Sequence, residues 1–130
     1  MFCTAMASDI LQHFFGITQT DLPITAPRVH LWIGDPGPSL VTGAEVSGGG
    51  YVPVQTTIDQ WVVLNPTSND EIIAFPEATA YWGTVTHVVL TTNLGFVGYP
   101  LFYGPLTTPK EIDEGSIARF KIGMLQITLI

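Results

Sequence analysis

Hydrophobic positions along this chain recur mainly with a period of two, in short runs bounded by proline, glycine and asparagine, which is the pattern of half-buried strands. The pattern is densest over residues 81–92, YWGTVTHVVLTT. From Thr84 onward nearly every residue there is β-branched or apolar, which suits a pleated surface and predicts the central strand of the fold. Alternation puts Val85, His87 and Val89 on one face and Val88 and Leu90 on the other, with Thr84 and Thr86 continuing the second. Both faces are largely apolar, so both are expected to be covered. Trp82-Gly83 marks an abrupt entry, and Thr92-Asn93-Leu94-Gly95 predicts a turn that sends the chain back along the strand's flank.

The other runs are shorter. Residues 28–33 predict a strand with Val29, Leu31 and Ile33 on one face and Arg28, His30 and Trp32 on the other; two prolines and two glycines over 34–38 end it. A flexible loop to Gly50 follows. Its triple glycine, 48–50, precedes neither a Lys-Ser/Thr pair nor a helix, so it predicts a loop or bulge rather than a phosphate cradle. Strands are expected at 51–57, 60–64 and 71–75, with a turn over 65–70, and Pro53 assigns the first of them to an edge or a bulge. Residues 98–103 and 109–112 read as short strands or extended connections. Residues 117–122 alternate, with Ala118, Phe120 and Ile122 inward and Arg119 and Lys121 outward. Residues 124–130 close the chain as a strand burying Leu125, Ile127 and Leu129.

Helical spacing occurs once, over 4–15, where Ile10, Leu11, Phe14 and Phe15 form an apolar stripe, Thr4 or Ser8 can cap the start and Gly16 the end. Such a short helix is marginal alone and must pack on something. An extended arm, ITQTDLPITAP at 17–27, follows it. The expected fold is therefore mainly β: an antiparallel β-sandwich or sandwich-like barrel with a short N-terminal helix and extended arm. Residues 1–27 form the helix and arm and 28–130 a single β-domain. Ile10, Leu11, Phe14 and Phe15 are the candidate partner-binding residues.

Composition sharpens this picture. Eleven acidic residues face four basic ones, Arg28, Lys110, Arg119 and Lys121, for a net charge of −7. That balance argues against nucleic-acid binding, which needs cations to neutralise phosphates. Only 12% of the residues are charged, while 46% are hydrophobic, and no charge occurs over 78–109. Prolines and glycines break that stretch into pieces shorter than the ~18 apolar residues a membrane helix needs. A partly apolar surface covered by other subunits is the alternative. The opening MFCTAMASDILQ lacks a basic region and carries Asp9, so no signal peptide is expected. Cys3 is the single cysteine, which excludes an intrachain disulfide and a multi-cysteine zinc site.

Candidate chemistry is sparse. His13, His30 and His87 have no ligand-spaced partners, so hydrogen-bonded histidines are expected rather than a metal site, with His87 donating to a carbonyl. Asp70-Glu71 and Asp113-Glu114 are neighbours in turns, and neighbouring residues do not converge as a glycosidase's carboxylates must. No serine sits in a G-x-S-x-G context, and Cys3 has no basic neighbour to activate it. Trp32, Trp61, Trp82, Tyr81 and Tyr103 are expected in the core or at subunit contacts, with a sugar platform as the alternative. No enzyme activity, cofactor or metal is expected.

The ordered set SDILQHFFG at 8–16, ITAPRVHLWIGDPG at 24–37, EVSGGGYVPV at 45–54, FPEATAYWGTVTHVVL at 75–90, then GPLTTPKEI and the closing FKIGMLQITL, resembles a family of small tailed-bacteriophage virion proteins commonly labelled tail fibre or minor structural proteins. The resemblance implies a mostly β virion component and brings no catalytic residues. A fibre shaft needs heptads or repeats, and neither is present. The leading expectation is a capsid cement or decoration protein on the outer shell, bridging major capsid protein subunits, with copies of itself as homodimer or homotrimer, and with neither nucleic acid nor membrane as partner. The alternative is a tail-fibre or tail-tip attachment module that binds host glycan.

Overall fold

In a computed structural model, the structure describes residues 3–4, 26–62, 67–94 and 97–127. Among these residues ten strands follow in order: β1 (Arg28–Ile33), β2 (Ala44–Glu45), β3 (Val54–Gln55), β4 (Trp61–Val62), β5 (Thr67–Asn69), β6 (Ile73–Ala74), β7 (Gly83–Leu94), β8 (Val97–Ile112), β9 (Arg119–Phe120) and β10 (Gln126–Ile127), with a 3₁₀ turn at Ile58–Gln60. Every pairing is antiparallel. The main sheet has the order β2-β1-β7-β8, with β3 pairing the other half of β1; β10-β5-β4 and β6-β9 form two smaller sheets. The fold is thus mainly β, as the alternation predicted. Among the described residues no sheet closes on itself, so the barrel alternative does not hold.

The expected central strand is β7, flanked by β1 and β8. Its neighbour β1 buries Val29 and Leu31, as its alternation required. On β7 itself the alternation breaks. Val85, Val88 and Leu90 all belong to the core cluster, three positions that a strict period of two would divide between faces. The cause is the ladder with β8, where register shifts fall between Val85 and His87 and between Leu90 and Thr91. Each irregularity leaves extra residues on β8 and resets which side chains of β7 point inward. Val85 and Val89 are therefore not on one face: Val89 is fully buried outside that cluster.

β8 is one strand of 16 residues where two short strands or extended connections were expected. Its three prolines, Pro100, Pro105 and Pro109, cannot donate to a ladder, and β8 stands at the end of the main sheet's order, where that is tolerated. β3, the remnant of the expected 51–57 strand, likewise pairs only β1 among the described residues, consistent with Pro53. Two elements lie where a loop and a turn were expected, β2 in the glycine-rich loop and β5 within 65–70. Ile122 is 61% exposed instead of inward, because the chain reverses at that point: the Met124 amide donates to the Lys121 carbonyl at 3.0 Å.

The core lies between the main sheet and the smaller β6-β9 layer. Val29, Leu31, Val85, Val88 and Leu90 meet Ile73, Phe75 and Trp82 there. Burying each such aliphatic side chain contributes roughly 1.5–3 kcal/mol. Of the N-terminal region, the helix over 4–15, apart from Thr4, and the arm over 17–25 lie outside the described residues, and with them Ile10, Leu11, Phe14 and Phe15. Residues 3 and 4 contact the β-domain: the Cys3 amide donates to the Leu101 carbonyl at 2.7 Å and the Thr4 amide to Pro38 at 2.8 Å.

Candidate functional site

Two arrangements gather side chains of chemical interest. The first lies on the face of β1 turned away from the core, where period two places His30 directly opposite Val89 of β7. His30 Nε2 lies 2.7 Å from Thr91 Oγ1, and His30 Nδ1 lies 2.5 Å from Glu45 Oε1 on β2. The Tyr51 hydroxyl donates to the same Glu45 oxygen at 3.0 Å and accepts from the Leu31 amide at 2.9 Å. Burial acts to raise the Glu45 carboxyl pKa, but the hydrogen bond and charge of His30 and the Tyr51 hydroxyl outweigh it and hold Glu45 below its ordinary value. Burial also pushes the Tyr51 hydroxyl strongly upward, so it stays a donor.

With Glu45 ionised, His30 Nδ1 carries the proton that faces the carboxylate, and Nε2 shares a hydrogen bond with the Thr91 hydroxyl. The order hydroxyl, imidazole, carboxylate is that of a nucleophile relay. Thr91, however, is only 7% exposed, so its hydroxyl is closed to a substrate. The network instead ties β2 and β7 to β1 through side chains, which the two-residue strand β2 needs because its own ladder is so short.

The second arrangement is an open cleft of about 280 Å³ between β7-β8 and the C-terminal strands, lined by Phe102, Tyr103, Leu106, Phe120, Met124 and Gln126 among others. Aromatic and polar groups share its lining, a mixture that meets a small ligand with one apolar and one polar side. Of the aromatics singled out in the sequence, Tyr103 alone lines it. Trp82 is core, 4% exposed, with its indole N–H donating to the Gly49 carbonyl at 2.8 Å. Trp61 donates to Thr56 Oγ1 and packs against the core, and Trp32 donates to the Thr42 carbonyl. Tyr81 is 52% exposed and donates to Glu111 at 2.8 Å.

His87 is satisfied by the hydroxyl of Thr86, 2.8 Å from Nδ1, where a carbonyl was expected. Among the described residues no three His, Cys, Asp or Glu side chains come together as metal ligands, and no helix is long and apolar enough to cross a membrane. The triple glycine is a turn closed by the Tyr51 amide on the Gly48 carbonyl, as a loop before the next strand implies. Sequence reasoning missed both Glu45 and the cleft. Glu45 carried a signal in retrospect: a carboxylate three residues before the triple glycine, followed closely by Tyr51, in a stretch otherwise without charge from Thr42 to Gln55.

Compared with known proteins, the sequence over residues 1–128 matches a family model described as Podophage GP4 fiber I protein gp80. No curated protein matches.

Proposed function

The chain belongs to the podophage GP4 fiber I protein gp80 family, and from that premise we propose that it serves as a non-catalytic fibre component carried on the tail of the virion. The observation that carries this reading is the extent of the match, which takes in the N-terminal segment and the β-domain alike. Phage, virion and fibre follow from the family; the place on the tail and the absence of catalysis are the proposal. The cement reading rested on the low charge and the N-terminal arm, and the family match favours the fibre alternative over it. With a compact β-domain and no repeat or heptad, the part it fits within a fibre is a head or attachment module rather than a shaft.

Copy number and position test it together. Quantitative mass spectrometry of purified particles against the major capsid protein is expected to give a few to tens of copies, with antibody label at the tail. Copies in the hundreds, spread over the shell, would restore the cement reading and overturn this one.

A second reading has its own observation, the aromatic-walled cleft. A sugar ring stacked on Tyr103 or Phe120 would make the module a weak glycan reader. Saturation-transfer NMR with host surface glycan, repeated on Tyr103→Ala, checks it; equal signals from both proteins exclude the cleft.

A further inference from the structure

The segment 72–82 runs antiparallel beside 112–121 as one two-stranded ribbon. Ile73 and Ala74 pair with Phe120 and Arg119, the Phe75 amide donates to Ala118, the Ala78 amide to Ser116, and the Trp82 amide to Ile112. Its inner side supplies Ile73, Phe75, Ala78 and Trp82 to the core. Its outer side is exposed and unevenly charged.

At one end, Arg119 and Lys121 stand exposed among Ile72, Ile117, Ile122 and Met124, which are four of the seven large hydrophobics exposed on the described surface. These are two of the four basic residues in the chain, and among the described residues neither has an ion pair, although Asp70 and Glu71 lie at the same end. At the other end are Glu111, Asp113 and Glu114, with Tyr81 bonded to Glu111 and Lys110 preceding Glu111 in the chain. Ten residues separate these ends along the chain, with a tight turn between them in which the Ser116 amide donates to the Asp113 carbonyl at 3.1 Å, so the span is shorter than the about 33 Å of fully extended chain.

We infer that this ribbon is a self-association surface, on which a second copy of the chain lies antiparallel across a two-fold axis. A two-fold contact sets each patch against its own copy in reverse direction, so one ribbon's cationic apolar end meets the acidic end of the other, and the same pairing occurs twice. The partner follows from charge: the cations need an acidic surface, and a chain of net charge −7 carries one at the other end of the same ribbon. The isoleucines and Met124 supply the apolar area, packing against Tyr81 of the partner copy. The face is small beside the ~1,600 Å² of a standard interface, so the contact is weak and concentration-dependent, and it gains strength where a fibre holds copies together. The inference does not depend on the fibre reading.

Sedimentation velocity of the full chain over a concentration series tests it. A monomer–dimer equilibrium is expected, weakening as salt is raised, because the paired charges lie at a solvated surface. The double variants Arg119→Glu/Lys121→Glu and Glu111→Lys/Asp113→Lys change exposed side chains only, and each is expected to weaken the dimer by about tenfold or more. Mixed in equal amounts, they are expected to recover it, because one protein then has two acidic ends and the other two basic ends. A wild-type monomer at every concentration, dimers that survive both reversals, or a mixture that stays monomeric would each overturn the proposal; circular dichroism confirms that the variants are folded.

Discussion

The side-chain carbonyl of Asn69 accepts a hydrogen bond from the backbone amide of Leu125, 56 residues later, at 3.0 Å. The Asn69 amide nitrogen donates to the carbonyls of Glu71 at 2.8 Å and Lys121 at 3.0 Å, with Phe120 at 3.4 Å. Asn69 is 1% exposed, so one buried side chain reinforces the β5–β10 ladder and ties β5 to the β9–β10 connection. Water cannot replace these bonds once the side chain is cut back. Asn69→Ala is therefore expected to destabilise the domain by about 2–4 kcal/mol, read as a lower urea midpoint with an unchanged slope. A shift below about 0.5 kcal/mol, the range of an ordinary surface substitution, would contradict this account.

Gly49 and Gly48 both have positive φ, 56° and 73°, but they differ in what surrounds them. A Cβ on Gly49 would lie 2.8 Å from Trp82 Nε1, whereas at Gly48 nothing lies within 4 Å. Left-handed strain alone costs about 1–2 kcal/mol, and displacing a buried tryptophan adds a comparable amount. Gly49→Ala is expected to lose about twice as much stability as Gly48→Ala in thermal melts, and to alter the near-ultraviolet dichroism of tryptophan. Equal losses would mean that the loop, not the Trp82 contact, sets the cost.

What the sequence made legible follows from how local the determinants are. Val29 and Leu31 on β1 obey period two because that strand is regular, and its alternation alone assigns their face. β7 defeats the same rule at Thr86–His87, because the shift that resets its faces is caused by surplus residues on β8, more than 15 positions away. Asn69 looked like a turn residue, and its type does fit one; its partners at 120–125 cannot be read from any window around it. Glu45 was hidden in the same way, since β2 is too short to show a period and its histidine lies 15 residues upstream. The arm residues Ile10, Leu11, Phe14 and Phe15 lie outside the described residues, and the ribbon face at 72–82 and 112–121 was obscured because Ile122 fits the inward phase of its strand.

Glu45 makes stability depend on acid. Its folded carboxyl pKa lies below the ordinary value of 4.5, so the folded state binds its proton less readily than the unfolded state does. The resulting stabilisation is present above the unfolded pKa and is lost as pH falls through the folded one. Wild-type stability is therefore expected to fall more steeply than that of Glu45→Gln below about pH 5. Urea melts at a series of pH values compare the two directly, and parallel profiles would show that the His30 contact does not hold the carboxylate in solution.

Cys3 reports whether the start of the chain stays docked. It is fully buried, its amide is bonded to Leu101, and burial pushes its thiol pKa up to about 11. At neutral pH the thiol is protonated and covered, and the thiolate is the reactive species. Native protein is expected to resist a thiol reagent such as dithionitrobenzoate and to react stoichiometrically once urea unfolds it. The pH dependence has a definite sign: above the ordinary pKa of 9.0 the unfolded state loses the proton while the folded state keeps it, so stability declines as pH rises toward 11. Cys3→Ala is expected to flatten that alkaline decline. Rapid labelling of native protein at pH 7 would instead mean that residues 3 and 4 leave the β8 edge readily, and that the contact with Leu101 adds little to the fold.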